Sequence, residues 1–580
     1  MKQNKTTWIF SILWLLLIGW LAFLWHLGST GLVDETEPLF AEAARQMTVT
    51  GDWVTPYFNG ETRFDKPPLI YWLMAIAYQL FGVNEWAVRL PSAIGAIALM
   101  SFGFYTLLAT QDNKSKPKSF LLPCIGAALI ALNSQTIVWA RTGVSDMLLT
   151  SCMGISLLSF FLGYTFKDNI TKKSWEAPFW YLVCYIFLAL SVLTKGPVGI
   201  VLPGLIIISF LLYTGNLTKV IKEMEIIKGL IIFMVMTLPW YILVIRQHGW
   251  DYINSFFGYH NFQRFTEVVN GHGASWYFYF LVVLVGFIPW SIYLPVAILR
   301  VKFWHRSWWC QQPRGSQLSL FAFFWFSGIF IFFTIAVTKL PSYTLPLLPA
   351  SAILVALFWS EAISTANPKR SMNRGLLISC VVNVIVLVIL AIFFLKSPNF
   401  IGYDPAAPNL AELVALSGIP LRTAIIWGAT AIAIALVLWL RYNWKWIFTA
   451  NLIAFIAFLV FTLLPTAFLI DGSRQLSLRE LSAIVVQRQK PEEEVVMIGF
   501  KKPSLTFYTQ RRVKFFRNTN KAIAYLTETT DIEANSTSLL IVARPKYIQR
   551  VVLDRSDYQI LGFQSPYLLL RVDKHKILRH

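Results

Sequence analysis

Residues Gly28 to Glu85 carry eight carboxylates, Asp34, Glu35, Glu37, Glu42, Asp52, Glu61, Asp65 and Glu85, against three cations, Arg45, Arg63 and Lys66. The formal charge of this stretch is −5 in a chain whose total is +20, so overall composition does not account for it. Other charged groups stand singly where apolar runs end: Arg141 and Asp146 in A-R-T-G-V-S-D-M, Lys195 in L-T-K-G-P, and Lys339 in T-K-L-P-S-Y. The segment from Arg246 to Ala274 adds His248, His260, Arg264 and His272. A carboxylate takes the proton of an acceptor hydroxyl, while Lys and Arg stabilise the charge developing on a departing phosphate. Together they suit group transfer from a phosphorylated lipid, whose sugar–phosphate bond supplies the energy without a nucleotide. No G-x-S-x-G, H-E-x-x-H, Walker or dinucleotide glycine pattern stands out, which sets protease, lipase and ATPase readings aside. Each residue alone has a duller role open to it, since helix-end Lys and Arg snorkel to headgroups and Asp caps helices. Their convergence on one side of a membrane is the stronger argument, and it depends on the elements between them.

Hydrophobic residues make up 56% of the 580 positions and charged residues 14%, against about 25% charged in soluble proteins. The aromatic share of 16%, with 23 Trp, fits side chains anchored at headgroup level. Where the excess of Lys and Arg follows the segments between membrane spans and the C-terminal tail, no nucleic-acid partner is expected. Cys124, Cys152, Cys184 and Cys380 lie in apolar runs and Cys310 in a basic loop, without a C-x-x-C pair, so neither a disulfide framework nor a zinc knuckle is signalled.

About 20 apolar residues are needed to cross a bilayer as a helix. Thirteen stretches are read as spans: 7–27, 86–109, 120–139, 147–166, 178–193, 197–213, 229–246, 275–299, 319–338, 343–360, 375–395, 422–440 and 447–468. The first follows Lys2 and Lys5 and lacks an A-x-A site, so it is expected to be a retained anchor. With the N-terminus cytoplasmic, the inside segments hold 20 basic residues and the outside loops nine, as the positive-inside rule requires. Loop 28–85 then faces outward, with short helices expected over Glu37–Thr48 and Pro67–Leu80. Residues 1–471 form the expected transmembrane domain. Residues 472–580, also external, read as a small α/β domain with a helix near 474–489 and strands around 495–500, 539–542, 560–563 and 567–572.

The strings D-E-T-E-P-L-F-A-E-A-A-R-Q-M (34–47), G-D-W-V-T-P (51–56), F-D-K-P-P-L-I-Y-W (64–72), R-L-P-S-A (89–93), T-K-G-P-V-G (194–199), H-N-F-Q-R-F (260–265) and K-L-P-S-Y-T-L-P (339–346) follow one another over about 320 residues. In that order they resemble the lipid A aminoarabinose transferases and related members of the glycosyltransferase C superfamily, alongside the protein O-mannosyltransferases. The resemblance implies a polytopic all-α membrane protein of the GT-C type, with about thirteen transmembrane helices and a small external α/β C-terminal domain. It implies an inverting transferase of the plasma (inner) membrane that uses a polyprenyl-phosphate sugar donor and a lipid or glycan acceptor, most simply lipid A or another envelope glycolipid.

Carried over by motif, Asp34 looks like the family's first-loop acid and general base, with Glu35 beside it, and Asp146 like its second acid. Lys66 looks like a ligand of the lipid phosphate, Arg264 and Lys195 like supporting cations, and Tyr343 like a pocket residue near the leaving group; Arg141, from A-R-T-G-V-S-D-M, is placed beside them as a further donor-site candidate. Relatives hold a metal with the acid before the lysine and the loop histidine, which makes Asp65 and His260 conditional ligands of a divalent metal; no cofactor is otherwise required. Protein O-glycosylation from the same donor type is the alternative within the enzyme class. A lipid-linked sugar flippase is the alternative outside it, disfavoured because no internal repeat is seen and the charges cluster at helix ends.

Overall fold

The computed structural model describes residues 5–111, 119–167, 176–263, 266–267, 273–364, 374–440, 443–528, 538–548 and 558–573. Among these, ten helices are long and apolar enough to cross a membrane, or up to twelve if each of two bent pairs is one span. All thirteen expected stretches fall on helices. Stretch 197–213 is the shorter helix Val198–Thr214. Stretch 120–139 bends by 64° between Leu121–Ala131 and Ser134–Ala140, where Asn133 breaks the run and caps the second piece by accepting from Thr136 N at 2.8 Å. Stretch 275–299 bends by 116° between Phe278–Gly286 and Trp290–Val301, with Pro289 at the corner.

Helix Ser145–Lys167 is the hub of the bundle. Its apolar window is wholly buried, and it packs on Glu176–Lys195, Glu85–Ala109 and the 3₁₀ turn Pro341–Leu347. A helix enclosed in this way is apolar all round, as S-D-M-L-L-T-S-C-M-G-I-S-L-L-S-F-F-L-G-Y is after its first turn. Asp146 therefore stands at the centre of one face of the bundle.

Loop 28–85 folds as expected into Glu37–Thr50 and Leu69–Phe81. Ile70, Tyr71, Met74, Ala77 and Tyr78 pack on Phe40, Ala43, Ala44 and Met47, and the Tyr78 hydroxyl donates to Ala41 O at 3.0 Å. Glu37, 1% exposed, fastens this layer to the bundle. Its carboxylate accepts from Arg89 Nε (2.8 Å) and Nη2 (3.0 Å), Gly143 N (2.7 Å) and Val33 N (2.7 Å). Arg89 also donates to the carbonyls of Leu27, Thr30 and Gly31.

The C-terminal part begins with helix Leu476–Arg488 and continues in a five-stranded sheet. The strands run in the order Val513–Phe516, Glu494–Ile498, Ser538–Ala543, Tyr567–Asp573, Tyr558–Gln564, parallel across the first three and antiparallel across the rest. The edge strand Val513–Phe516 escaped the sequence reading because its four residues, with Lys514 exposed between partly buried neighbours, give no clear alternation.

This sheet domain docks on the acidic loop through neutral donors and through two ion pairs, Arg479 with Glu85 at 3.6 Å and Arg517 with Glu35 at 3.2 Å. Asp34 accepts from Ser504 N at 3.0 Å and Ser504 Oγ at 2.5 Å; Leu32 N donates to the Tyr508 hydroxyl, which donates to Glu85. Ahead of this domain, on helix Leu464–Arg474, Asp471 accepts from Gly31 N at 2.7 Å. Asn59 exchanges two bonds with the backbone of Val513. Asn59 and Gly60 lie at φ 57° and 87° between the strands Tyr57–Phe58 and Glu61–Thr62, a two-residue turn that holds the Asn59 side chain outward.

Two outcomes follow from these contacts. Glu37→Gln leaves the buried Arg89 charge uncompensated and should cost about 3–5 kcal/mol, whereas Glu35→Gln, which removes only the exposed pair with Arg517, should cost at most about 1 kcal/mol. Thermal unfolding in detergent reads both, and an unchanged midpoint for Glu37→Gln contradicts the assignment. Burial is the largest influence on Asp34 and raises its pKa from 3.8 to about 6, outweighing the Ser504 bonds. A carboxylate raised on folding contributes stability that is fully present below its unfolded pKa and is lost as pH rises through the folded value. The protection factors of the Ser504–Thr509 amides, which remove the intrinsic pH dependence of exchange, should therefore fall between about pH 4 and 6, and Asp34→Asn should flatten that fall.

Candidate active site

A cavity of about 450 Å³ opens at the Asp146 end of the hub helix, with Asp65, Lys66, Asp146, Lys195, Ser342 and Tyr343 at its polar part. Its wall continues through Leu149, Val198, Val201, Leu202, Phe257, Phe332, Phe333 and Pro346. Each polar group is delivered by a different element. Lys66 stands where F-D-K-P-P leads into Leu69–Phe81, and Pro67 and Pro68 fix that entry. The chain before it is held by Trp72 Nε1 on Trp53 O (2.7 Å), Trp240 Nε1 on Val54 O (3.0 Å) and Thr55 bonded to His248 (2.8 Å). Lys195 ends Glu176–Lys195. The next residue, Gly196, turns at φ 95°, where a Cβ would lie 2.6 Å from the Phe256 ring. Ser342 and Tyr343 come from the turn Pro341–Leu347.

Both lysines are held by carboxylates. Lys195 Nζ lies 2.6 Å from Asp146 Oδ1, and Ser342 also hydrogen-bonds Asp146. Lys66 Nζ lies 2.7 Å from Asp65 Oδ1, whose other oxygen takes Arg63 at 2.7 Å. The Tyr343 ring sits 5.3 Å from Lys195 Nζ and stacks 4.8 Å from Phe333. All four ionised groups are at most 17% exposed, so their charges act in a medium far less screening than water.

The expected grouping is met for Asp65, Lys66, Asp146, Lys195 and Tyr343 and is not met for three other residues. Asp34 does not line this cavity, because Ser504 of the sheet domain takes both its oxygens. Glu35, about half exposed, points to Arg517 at 3.2 Å. Arg141 lines a separate cavity with Arg89, so it is not a neighbour of the two lysines. Arg264 lies outside the described residues, as does the side chain of His260, which falls in the π-helical stretch Ile253–Gln263. Ser342, Phe257 and Phe333 were missed. Ser342 sat inside the K-L-P-S-Y string between two residues chosen for charge and ring, whereas Phe257 and Phe333 occupy apolar runs with no sequence signal to separate them from packing residues.

Among the described residues no three His, Cys, Asp or Glu side chains converge as metal ligands. Asp65 already answers two cations, and with the His260 side chain outside the description no ligand set is assembled.

The family described as dolichyl-phosphate-mannose-protein mannosyltransferase matches residues 65–243, and the C-terminal domain of cyanobacterial RgtA-type glycosyltransferases matches residues 488–580. An uncharacterised protein of Aquifex aeolicus is 30% identical over 339 residues, covering 58% of this chain and 70% of its own length. The undecaprenyl phosphate-alpha-4-amino-4-deoxy-L-arabinose arabinosyl transferase 1 of Pseudomonas fluorescens is 27% identical over 430 residues, covering 72% and 73%, and the corresponding Aeromonas hydrophila transferase 29% over 400 residues, covering 68% of each chain. The fold is that of ArnT from Cupriavidus metallidurans, crystallised with undecaprenyl phosphate, with a TM-score of 0.74 at 20% identity over 98% of both chains. With its lysine–carboxylate cavity on a bundle of apolar helices and these relatives along its length, the chain is a multi-pass membrane glycosyltransferase and belongs to the C-superfamily enzymes of the aminoarabinose transferase and protein mannosyltransferase type.

Proposed function

We propose that the chain moves a sugar, with inversion, from a polyprenyl-phosphate donor to an acceptor at the external face of the inner membrane, the acceptor being lipid A or another envelope glycolipid or glycan. The cavity carries this reading: two lysines at one end and an aliphatic and aromatic wall at the other suit a phosphate on an isoprenoid chain. Relatives named for transfer from undecaprenyl phosphate align over about 70% of their length and support the same donor class. The distribution of basic residues between spans, 20 in the inside segments against nine in the outside loops, supports a cytoplasmic N-terminus and an external catalytic face, with residues 472–580 and their 19 basic residues as an external domain over it.

In the proposed reaction an acceptor oxygen forms a bond to the anomeric carbon as the bond from that carbon to the phosphate oxygen breaks. The electron pair leaves on polyprenyl phosphate, where Lys66 and Lys195 neutralise it. Asp65 and Asp146 hold the two lysines in place, and Tyr343 packs against Lys195. Asp34 is the proposed acceptor of the proton when the nucleophile is a hydroxyl. Its pKa of about 6 suits a general base near neutral pH, and its bonds to Ser504 must open for it to act. An acceptor phosphate is already anionic and leaves Asp34 an orienting role. The match to protein mannosyltransferases over 65–243 favours a second reading in which the hydroxyl belongs to a protein.

Transfer of radiolabelled sugar by the purified chain tests the donor site. Lys66→Ala and Lys195→Ala each remove a charge-assisted contact of about 1.5–3 kcal/mol, so kcat/KM for the donor should fall roughly 10- to 150-fold; unchanged kinetics removes the residue from the site. If Asp34 is the base, Asp34→Asn lowers kcat by about 10²–10⁴ while Ser504→Ala leaves transfer intact. Equal losses in the two variants make Asp34 an anchor of the sheet domain only. Mass spectrometry of envelope lipids and glycoproteins from a strain lacking the chain identifies the acceptor: a sugar missing from lipid or glycan supports the first reading, a sugar missing from protein alone the second, and an unchanged envelope contradicts both.

A further inference from the structure

Arg141 lies five residues before Asp146, and an extended chain of that length reaches at most about 18 Å. It lines a separate cavity of about 170 Å³ with Arg89, His26, Thr30 and Thr142, closed on its other side by apolar residues that include Phe468. The two arginines differ. Arg89 is saturated by Glu37 and three backbone carbonyls. The Arg141 guanidinium has five N–H donors, and the one side-chain hydrogen bond shown for it among the described residues is a long contact of 3.4 Å to Ala22 O. Glu37, the carboxylate nearest this pair in the bonding network, is already committed to Arg89, Gly143 N and Val33 N. The cavity thus places a partly exposed guanidinium with few protein partners beside apolar walls, an arrangement that an anion carried on an apolar body would complement. Burial and the proximity of Arg89 both push the Arg141 pKa down, to about 10, in the sense that a bound anion reverses.

We propose that this second cavity is a binding site for the phosphate group of an amphipathic lipid, with Arg141 as its principal ligand and Thr30 and Thr142 as neighbouring hydroxyls. The phosphate belongs either to the acceptor, held while its nucleophilic oxygen reaches the Asp146 cavity, or to a phospholipid of the external leaflet. The acceptor source rests on the proposed glycosyl transfer; the phospholipid source does not.

Two measurements on the full chain separate these sources. The first compares KM for bisphosphorylated and for monophosphorylated lipid A, which keeps one phosphate as acceptor, at saturating polyprenyl-phosphate sugar. The wild type should prefer the bisphosphorylated form, and Arg141→Gln should raise its KM about tenfold or more while the donor KM stays constant, with Arg141→Lys restoring part of the preference. The second counts phosphatidylglycerol molecules retained in native mass spectra of the protein from phosphatidylglycerol nanodiscs, where Arg141→Gln should lose one. A change in the first places the acceptor phosphate at Arg141, and a change in the second alone places a bilayer phospholipid there. No change in either, or a rise in donor KM for Arg141→Gln, overturns the proposal. Absence of turnover by the wild type with any polyprenyl-phosphate sugar defeats the transferase reading instead, and the nanodisc count then decides the phosphate site by itself. Matching thermal midpoints for the three proteins exclude misfolding as the source of a loss.

Discussion

The buried pair of Glu37 and Arg89 fixes where the acidic-loop layer sits on the bundle. One carboxylate, 1% exposed, binds a guanidinium on Glu85–Ala109, the backbone N–H of Val33 in its own loop, and that of Gly143 just ahead of the hub helix. Arg89 in turn takes the carbonyls of Leu27, Thr30 and Gly31, where the chain leaves the first helix. Such a pair contributes little net energy compared with apolar packing, because desolvating two charges offsets their attraction. Its directional bonds nevertheless specify a single register. The segment that carries Gly143 carries Asp146 three residues on, and the loop that carries Glu37 carries Lys66, so one interaction determines how the two halves of the lysine cavity meet.

The site formed in this way divides its charges between two cavities. Lys66 and Lys195 share the larger one with Asp65, Asp146 and an apolar wall, so cations suited to a phosphate adjoin a surface suited to its lipid. Arg141 faces the smaller one on the far side of the Ala140–Asp146 segment. The sheet domain reaches the same loop through Ser504, Tyr508 and Asn59, and it holds the one loop carboxylate, Asp34, that burial brings toward neutral pKa. Docking of that domain and availability of Asp34 are therefore linked through a single pair of hydrogen bonds.

Much of this was legible in the sequence because a membrane restricts the options. Apolar runs of about 20 residues have no folded alternative to a helix in hydrocarbon, which is why every expected stretch falls on one. Asp146 and Lys195 were visible as charges at the ends of such runs, where charge is costly without a purpose, whereas Lys66 and Tyr343 were marked only by the family-like strings F-D-K-P-P and K-L-P-S-Y. The bends at Asn133 and Pro289 were less visible, since hydropathy averages across them. Asp34 and Arg141 show the limit of motif reasoning. Asp34 lies in a string that resembles the family and Arg141 at the end of an apolar run, but which cavity a side chain enters depends on partners distant in sequence: Ser504 for Asp34, and the Phe468 wall for Arg141. No local pattern encodes contacts across more than 300 residues.

The central claim is that the cavity between Lys66 and Lys195 receives the phosphate of a lipid-linked sugar donor. A cryo-electron microscopy map of the purified chain with polyprenyl phosphate tests it directly. The account predicts phosphate density within hydrogen-bonding distance of Lys66 Nζ or Lys195 Nζ, with the isoprenoid running along Val201, Leu202 and Phe332. Phosphate density elsewhere, with both lysines still bound only to Asp65 and Asp146, would contradict it.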